Sequence, residues 1–334
     1  MLASAVTIAV GFVATALLTA LYQRWAMQRS IVDSPGHRSS HEVDTVHGAG
    51  AVFVVVYALM AIDMIRSGSP PLPWYFLAPA FVGAIGLVDD FYSLGVRIRM
   101  LGYAVVIAVV VLLASDVLNE QTGLSITEGV YLGLWLFAGL WFVNLYNFMD
   151  GINGIAGVQA LFLIGASLFL ASDPALQPLL LLTLGAIGGF LVWNFPVARV
   201  FMGDAGSTML GSLFICLALY YHSTGSLELA ALALLPAVFV ADATIPLLRR
   251  MATGQNWTEA HRSHAYQRLA RRWGSHTPVV LLVLAINLCW IAPLAWAAQN
   301  WPAHGAIAVG AAYLPLLLSV FLLGAGCADS ESGG

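Results

Sequence analysis

Five carboxylates stand at or beside the ends of apolar stretches: Asp33, Asp89, Asp90, Asp150 and Asp204. Asp204 lies in FMGDAGS, a Gly-rich turn that opens such a stretch. Gly203 and Gly206 permit close backbone approach there, and a helix N-terminus presents N–H groups, which suits an anion held together with a metal. A plain helix cap is the simpler reading of the same acid. In NLYNFMDGINGIAG, Asn144, Asn147 and Asp150 fall at i, i+3 and i+6, so their oxygens share one face at a helix end. Such oxygens are the hard ligands that Mg2+ takes alongside substrate phosphates. The glycines that follow could equally serve helix packing, but packing leaves the three polar residues unexplained. Asp89 and Asp90 are adjacent and repel, so a cation, a positive neighbour or a raised pKa must relieve them. Arg97 and Arg99 follow closely enough to do so. Taken alone, that pair is a weak signal.

Two polar loops hold most of the remaining chemistry. The first carries His37, Arg38, His41 and His47, and the second His261, Arg262, His264 and Arg268. Zinc is disfavoured, because no cysteine joins these histidines and the ligand spacing is wrong. Arginine mixed with histidine, serine and threonine suits phosphate or sugar better. Attraction of the second loop to anionic lipid headgroups is the alternative.

The elements that position these groups follow from composition. Of 334 residues, 60% are apolar and 9% charged; the net charge is −4, and every basic residue is arginine. That excludes a soluble globular enzyme, a disordered chain and a basic nucleic-acid binder. It fits an all-α polytopic membrane protein. Eleven stretches approach the roughly 20 apolar residues a bilayer needs: about 2–24, 49–65, 74–88, 101–118, 129–147, 154–172, 175–195, 207–222, 228–248, 278–298 and 303–323. Twelve of the thirteen arginines fall in the odd-numbered loops. The positive-inside rule then sets the N-terminus outside, the C-terminus in the cytoplasm and the five carboxylates on the cytoplasmic face. We expect one transmembrane domain over 1–326 and a disordered tail over 327–334. Cys216, Cys289 and Cys327 read as small buried hydrophobes rather than a disulfide framework.

Five blocks, in order, resemble the polyprenyl-phosphate N-acetylhexosamine-1-phosphate transferases: DSPGHRSSH with the glycines after it, VDDF, NLYNFMDGINGIAG, FMGDAGSTMLG and HRSH. The resemblance implies transfer of a sugar 1-phosphate from a UDP-N-acetylhexosamine to undecaprenyl phosphate, with release of UMP. It implies Mg2+ as cofactor, with Mn2+ as its substitute. Asp204 would hold the metal with Asn147 as partner, and Asp89 and Asp90 would match the family's catalytic acidic pair. Phe201 would stack on uracil, Asn153 would meet the uracil edge, and Asp150 falls on an acidic position near the nucleotide. Arg38, His41, Arg99, Arg262 and His264 would meet phosphate or sugar. The setting implied is a multi-pass protein of the bacterial inner membrane, among membrane lipids and without nucleic acid; a homodimer is compatible with it. The HRSHAYQRL form resembles the subgroup that starts O-antigen or related surface glycans. The sequence also departs from its relatives. Tyr266 and Gln267 stand where two histidines are frequent, Tyr103 replaces a frequent glutamine, and His47 replaces a frequent arginine. The muramoyl-pentapeptide branch's histidine-rich signature is absent, which points away from peptidoglycan precursors.

The rival reading is a polytopic transporter. A transporter would place its key polar groups near mid-bilayer, often with repeat symmetry. Here they collect on one face, and only Asp63 and Asp242 lie well inside apolar stretches.

Overall fold

The computed structural model describes residues 2–33, 45–68, 72–122, 128–171, 173–255 and 262–327, without the side chains of 115–122 and 128. The described chain is helical throughout, apart from one hairpin of two-residue strands. The helices gather into two compact units, Met1–Leu227 and Glu228–Gly334, inside what the sequence offers as one domain.

The first unit holds α1 (Leu2–Gln28), α2 (Ala51–Ser67), α3 (Ala78–Tyr92), α4 (Val96–Thr122), α5 (Glu128–Met149), α6 (Ile155–Ala171), α7 (Gln177–Asn194) and α8 (Gly203–Ser223). α8 is its axis. Nearly every residue from Gly203 to Ser223 is buried, and α3, α5 and α4 pack round it. α1 pairs with α7 so closely that a Cβ on Gly185 would sit 2.9 Å from the carbonyl carbon of Ile8, and one on Gly189 would sit 3.0 Å from the Ala16 nitrogen. Without a hydrophobic drive between helices in lipid, this backbone approach is what holds such a pair. Between α1 and α2, β1 (Val32–Asp33) pairs antiparallel with β2 (Thr45–Val46). Val46 then bridges in parallel to Val200, which ties this hairpin to the entry of α8.

The second unit holds α9 (Leu229–Leu234), α10 (Ala237–Ala252), α11 (Ala265–Trp273), α12 (Thr277–Ile286), α13 (Ala292–Asn300) and α14 (Gly305–Leu322). A π-helical turn, Asn287–Ile291, joins α12 to α13 into one continuous rod.

Among the described residues, eight helices are long and apolar enough to cross a membrane. The molecule is thus an all-α polytopic membrane protein. The expected count of eleven is not reached by length and composition. The stretches at 49–65 and 154–172 fold as helices of 17 residues. The stretch at 228–248 breaks into α9 and α10, where Pro236 cannot continue a hydrogen-bond ladder. Cysteine burial also differs from expectation: Cys216 is buried, but Cys289 and Cys327 are exposed.

Candidate active site

Four helix ends meet at one end of the first unit: the C-terminal turns of α3 and α5 and the first turns of α4 and α8. They bring together Asp89 and Asp90, Arg99, Asn147 and Asp204. Arg99 is the central cation. Its Nη1 donates to Asp89 Oδ2 and, at 2.7 Å, to Asp204 Oδ2. The Asp89 and Asp204 carboxyls also lie within hydrogen-bond reach of each other. Two like charges at that separation need the guanidinium between them. The sequence places Arg99 at substrate phosphate or sugar; in the described structure it neutralises the acids.

Asp90 is arranged quite differently from its neighbour. Successive helical residues point about 100° apart, so Asp90 faces the start of α8 while Asp89 faces Arg99. Its Oδ1 accepts from the Asp204 backbone N–H at 2.8 Å, and its Oδ2 from that of Ala205 at 3.1 Å. His47 Nε2 lies 2.9 Å from Oδ1, and the Asp90 side chain is only 3% exposed. The N–H groups expected to stay open at the GDAGS turn are therefore taken by a carboxylate from α3. Gly203 makes this contact possible. It has φ of +71°, and a Cβ there would sit 2.6 Å from Asp90 Oδ2.

His47 is fixed in turn by its surroundings. Tyr22 of α1 donates its hydroxyl to the His47 carbonyl at 2.8 Å. Ala49 N–H donates to the Phe201 carbonyl and Gly50 N–H to that of Met202, at 3.0 and 2.9 Å. Burial alone would lower the His47 pKa. The hydrogen bond and charge of Asp90, with the charges of Asp204 and Asp33, outweigh that and raise it.

On the α5 side, Asn147 Nδ2 donates to Ser207 Oγ at 3.1 Å, and its amide is also within hydrogen-bond reach of Asp204. Asn144 does not join them: its Nδ2 turns back to the Leu140 carbonyl at 2.7 Å. Asp150 follows the end of α5, and burial pushes its carboxyl well above the ordinary range. The charges of Asp204 and Asp90 add to that push, and His47 opposes it. Asn153 Nδ2 donates to the Pro196 carbonyl at 3.2 Å, and Phe201 is half-buried at the approach to α8.

Asn194 escaped the sequence reading. Its Oδ1 accepts from the Gly154 N–H at 2.8 Å, and its Nδ2 donates to the Val200 carbonyl at 2.9 Å. It thereby ties the GING turn to the strand-like segment before Phe201. Its partners lie 40 and 6 positions away, and no local spacing signals such a bond. Arg38 and His41 lie outside the described residues.

The second unit carries the HRSH block. His264, expected at sugar or phosphate, is 4% exposed. Its Nδ1 lies 3.0 Å from the Asp242 carbonyl, and its ring stacks on Tyr266 with centroids 5.7 Å apart. Burial lowers its pKa to about 4, so the ring is neutral. The Asp242 carboxylate accepts from the N–H groups of Ala265 and Tyr266 at 2.6 and 2.8 Å, capping α11. Here His264 is a packing residue of this cap. Arg262 is half-buried, and its carbonyl accepts from Arg271 Nη1 at 2.9 Å.

The profile of a family described as Glycosyl transferase family 4 matches residues 72–222, the segment that contributes Asp89, Asp90, Arg99, Asn147 and Asp204. A Streptomyces coelicolor protein described as a glycosyltransferase is 31% identical over 297 residues, 86% of this chain and 68% of its own. The undecaprenyl-phosphate alpha-N-acetylglucosaminyl 1-phosphate transferase of Thermotoga maritima is 29% identical, over 81% of this chain and 84% of its own. The decaprenyl-phosphate N-acetylglucosaminephosphotransferase of Mycobacterium leprae is 26% identical, over 86% and 80%. The chain belongs to the polyprenyl-phosphate sugar-1-phosphate transferases of glycosyl transferase family 4. It is an enzyme of that type, and the transporter reading is set aside. For a sugar-1-phosphate transferase, a cluster of four carboxylates around Arg99 and His47 is apt. The acids outnumber the cations, and the half-buried members Asp89 and Asp204 offer hard oxygens, so the donor set fits a divalent cation. Among the described residues no three His, Cys, Asp or Glu side chains form a ready cage. A cation here would therefore depend on amide and substrate oxygens as well.

Proposed function

We propose that this enzyme transfers an N-acetylhexosamine 1-phosphate from a UDP-sugar to undecaprenyl phosphate, with Mg2+, releasing UMP and opening a lipid-linked surface glycan such as O-antigen. The observation that carries the reading is the convergence of Asp89, Arg99, Asn147 and Asp204 from four helix ends. The relatives' names supply the chemistry: those of Thermotoga and Mycobacterium act on a polyprenyl phosphate and N-acetylglucosamine 1-phosphate. UDP-GlcNAc is thus the first donor to try.

In the reaction, an oxygen of the lipid phosphate attacks the β-phosphorus of the UDP-sugar. The bond from that phosphorus to the bridging oxygen breaks, and the electrons leave with UMP. The acceptor's second pKa is near 6, so at neutral pH it is already a dianion and needs no strong base. The demand is to bring anions together and hold them in line. Mg2+, held by Asp204 and Asn147, would supply Lewis-acid stabilisation of the pyrophosphate. Arg99 stands beside that position, ready to exchange carboxylate for phosphate. Asp90 acts by position: it fixes the first turn of α8 and with it Asp204. Phe201 and Asn153 are assigned to uracil, and Arg38, His41 and Arg262 to phosphate or sugar. We place the cluster on the cytoplasmic side of a bacterial inner membrane, with the N-terminus outside.

The test is UMP release from a panel of UDP-sugars with undecaprenyl phosphate, with and without Mg2+. Turnover with UDP-GlcNAc or a 6-deoxy-N-acetyl donor, lost on chelation, is the expected result. Donor hydrolysis without lipid product, or turnover indifferent to chelation, would overturn the assignment.

A further inference from the structure

The second unit holds a cationic cavity to which the transfer proposed above assigns no role. α11 buries Ala265, Tyr266 and Ala270 and exposes Arg271, Arg272 and Trp273 at its C-terminal end. Arg268, Leu269, Arg271 and Arg272 line one side of a cavity of about 270 Å³, and Leu323 lines the other. Two of these guanidiniums are held in place by backbone: Arg268 Nη1 donates to the Cys327 carbonyl at 3.2 Å and Arg271 Nη1 to that of Arg262 at 2.9 Å.

The depth of this cavity follows from the chain itself. The helix crossing at Thr277–Asn300 begins four residues after Trp273, and Leu323 directly follows the crossing at Pro302–Leu322. Both walls therefore stand where apolar spans reach the membrane surface. Among the described residues of the unit, basic side chains outnumber acidic ones. The described part of the unit has Arg249, Arg250, Arg262, Arg268, Arg271 and Arg272 against Glu228 and Asp242. The Asp242 carboxylate is buried under the Ala265 and Tyr266 N–H groups. Glu228 bonds through its N–H to Gln299, at the far end of the Thr277–Asn300 rod.

We propose that this cavity binds the phosphate headgroup of an anionic membrane phospholipid. Guanidiniums match phosphate oxygens in planar, bidentate fashion. The two leucines and the adjoining spans offer the acyl chains an apolar floor, and Trp273 stands at headgroup level, where indole rings collect. A free phosphate would use the arginines but gain nothing from that floor. Juxtamembrane arginines are attracted to anionic lipid in this way.

The experiment uses the full chain in phosphatidylcholine vesicles holding spin-labelled phosphatidylglycerol or phosphatidylcholine as probe. The wild type should select the anionic phosphatidylglycerol probe. Arg271→Gln with Arg272→Gln should cut that selectivity by about threefold or more, while the two Arg→Lys changes keep most of it. If the double variant does not fold, Arg272→Gln alone, a single exposed side chain, should lose part of the selectivity. An unchanged ratio, or an equal drop from Arg24→Gln with Arg29→Gln, would mean diffuse surface charge and overturn the site. Displacement of the probe by inorganic phosphate at matched ionic strength would make it a free-anion site. Displacement by stoichiometric undecaprenyl phosphate would make it an acceptor site. Either result would also overturn the proposal.

Discussion

A carboxylate whose two oxygens both accept backbone N–H donors from another helix fastens that helix in place, and that is the position of Asp90. The sequence puts Asp89 and Asp90 on one footing, because adjacent acids differ only in the direction that a folded helix gives them. A similar sorting applies to Asp204 and Asp150, and it yields a test. Asp204 works as an anion beside Arg99, so Asp204→Asn should cost several kcal/mol of transition-state stabilisation, about a thousandfold in turnover. Burial raises the Asp150 carboxyl, so the near-isosteric Asp150→Asn should stay within about tenfold of wild type. UMP release at saturating substrate and pH 7 compares the two, and equal losses would refute the distinction. His47 adds a pH signature. Its folded pKa is raised, so its bond to Asp90 stabilises fully below the unfolded value of about 6.5 and fades as pH climbs through the folded one. The Tm gap between wild type and His47→Gln should be widest near pH 6 and close toward alkaline pH. The His47 side chain is 35% exposed, so the effect is about 1 kcal/mol or less. A gap that does not vary with pH would point to packing alone.

At the scale of elements, α11 exists because Asp242 caps it and a neutral His264 packs beneath Tyr266. The sequence marks His264 and Tyr266 by resemblance to a substrate-facing motif, but burial is a property of tertiary packing that a motif does not carry. The lowered pKa has a definite sign. An imidazole that resists protonation in the fold contributes stability above about pH 6.5, which is lost as pH falls toward about 4. Hydrogen exchange at 265–273, corrected for intrinsic rate, should therefore lose protection between pH 7 and 5 while α8 does not. His264→Gln should remove that difference. Helix packing gives a second test. Gly185→Ala places a methyl against the backbone of α1 and should destabilise by about 1–3 kcal/mol. Gly310→Ala in α14, where a Cβ would meet nothing within 4 Å, should change stability by about 0.5 kcal/mol or less. Thermal unfolding in detergent compares the two, and equal shifts would refute the close packing of α1 on α7.

For the molecule as a whole, composition alone is enough to read an all-helical membrane protein, since 60% apolar residues allow little else. Four of the five boundary carboxylates do join one cluster. What stays hidden is whatever depends on long separation: Asn194 bridging to Gly154 and Tyr22 holding His47. The proposed orientation can be tested directly. After Cys289→Ala and Cys327→Ala, Ser226→Cys should react with an impermeant maleimide on intact cells, and Ser93→Cys only after permeabilisation. The opposite pattern would invert the topology. The α1–α7 pair, finally, sets a timetable for synthesis. The last residue of α1 and the first of α7 are Gln28 and Gln177. At about 5–20 residues per second, a ribosome leaves α1 without its partner for on the order of 10–30 s. A chain stalled before Gln177 would carry a complete α1 docked only on β2 and α2, without the helix that makes its main contact.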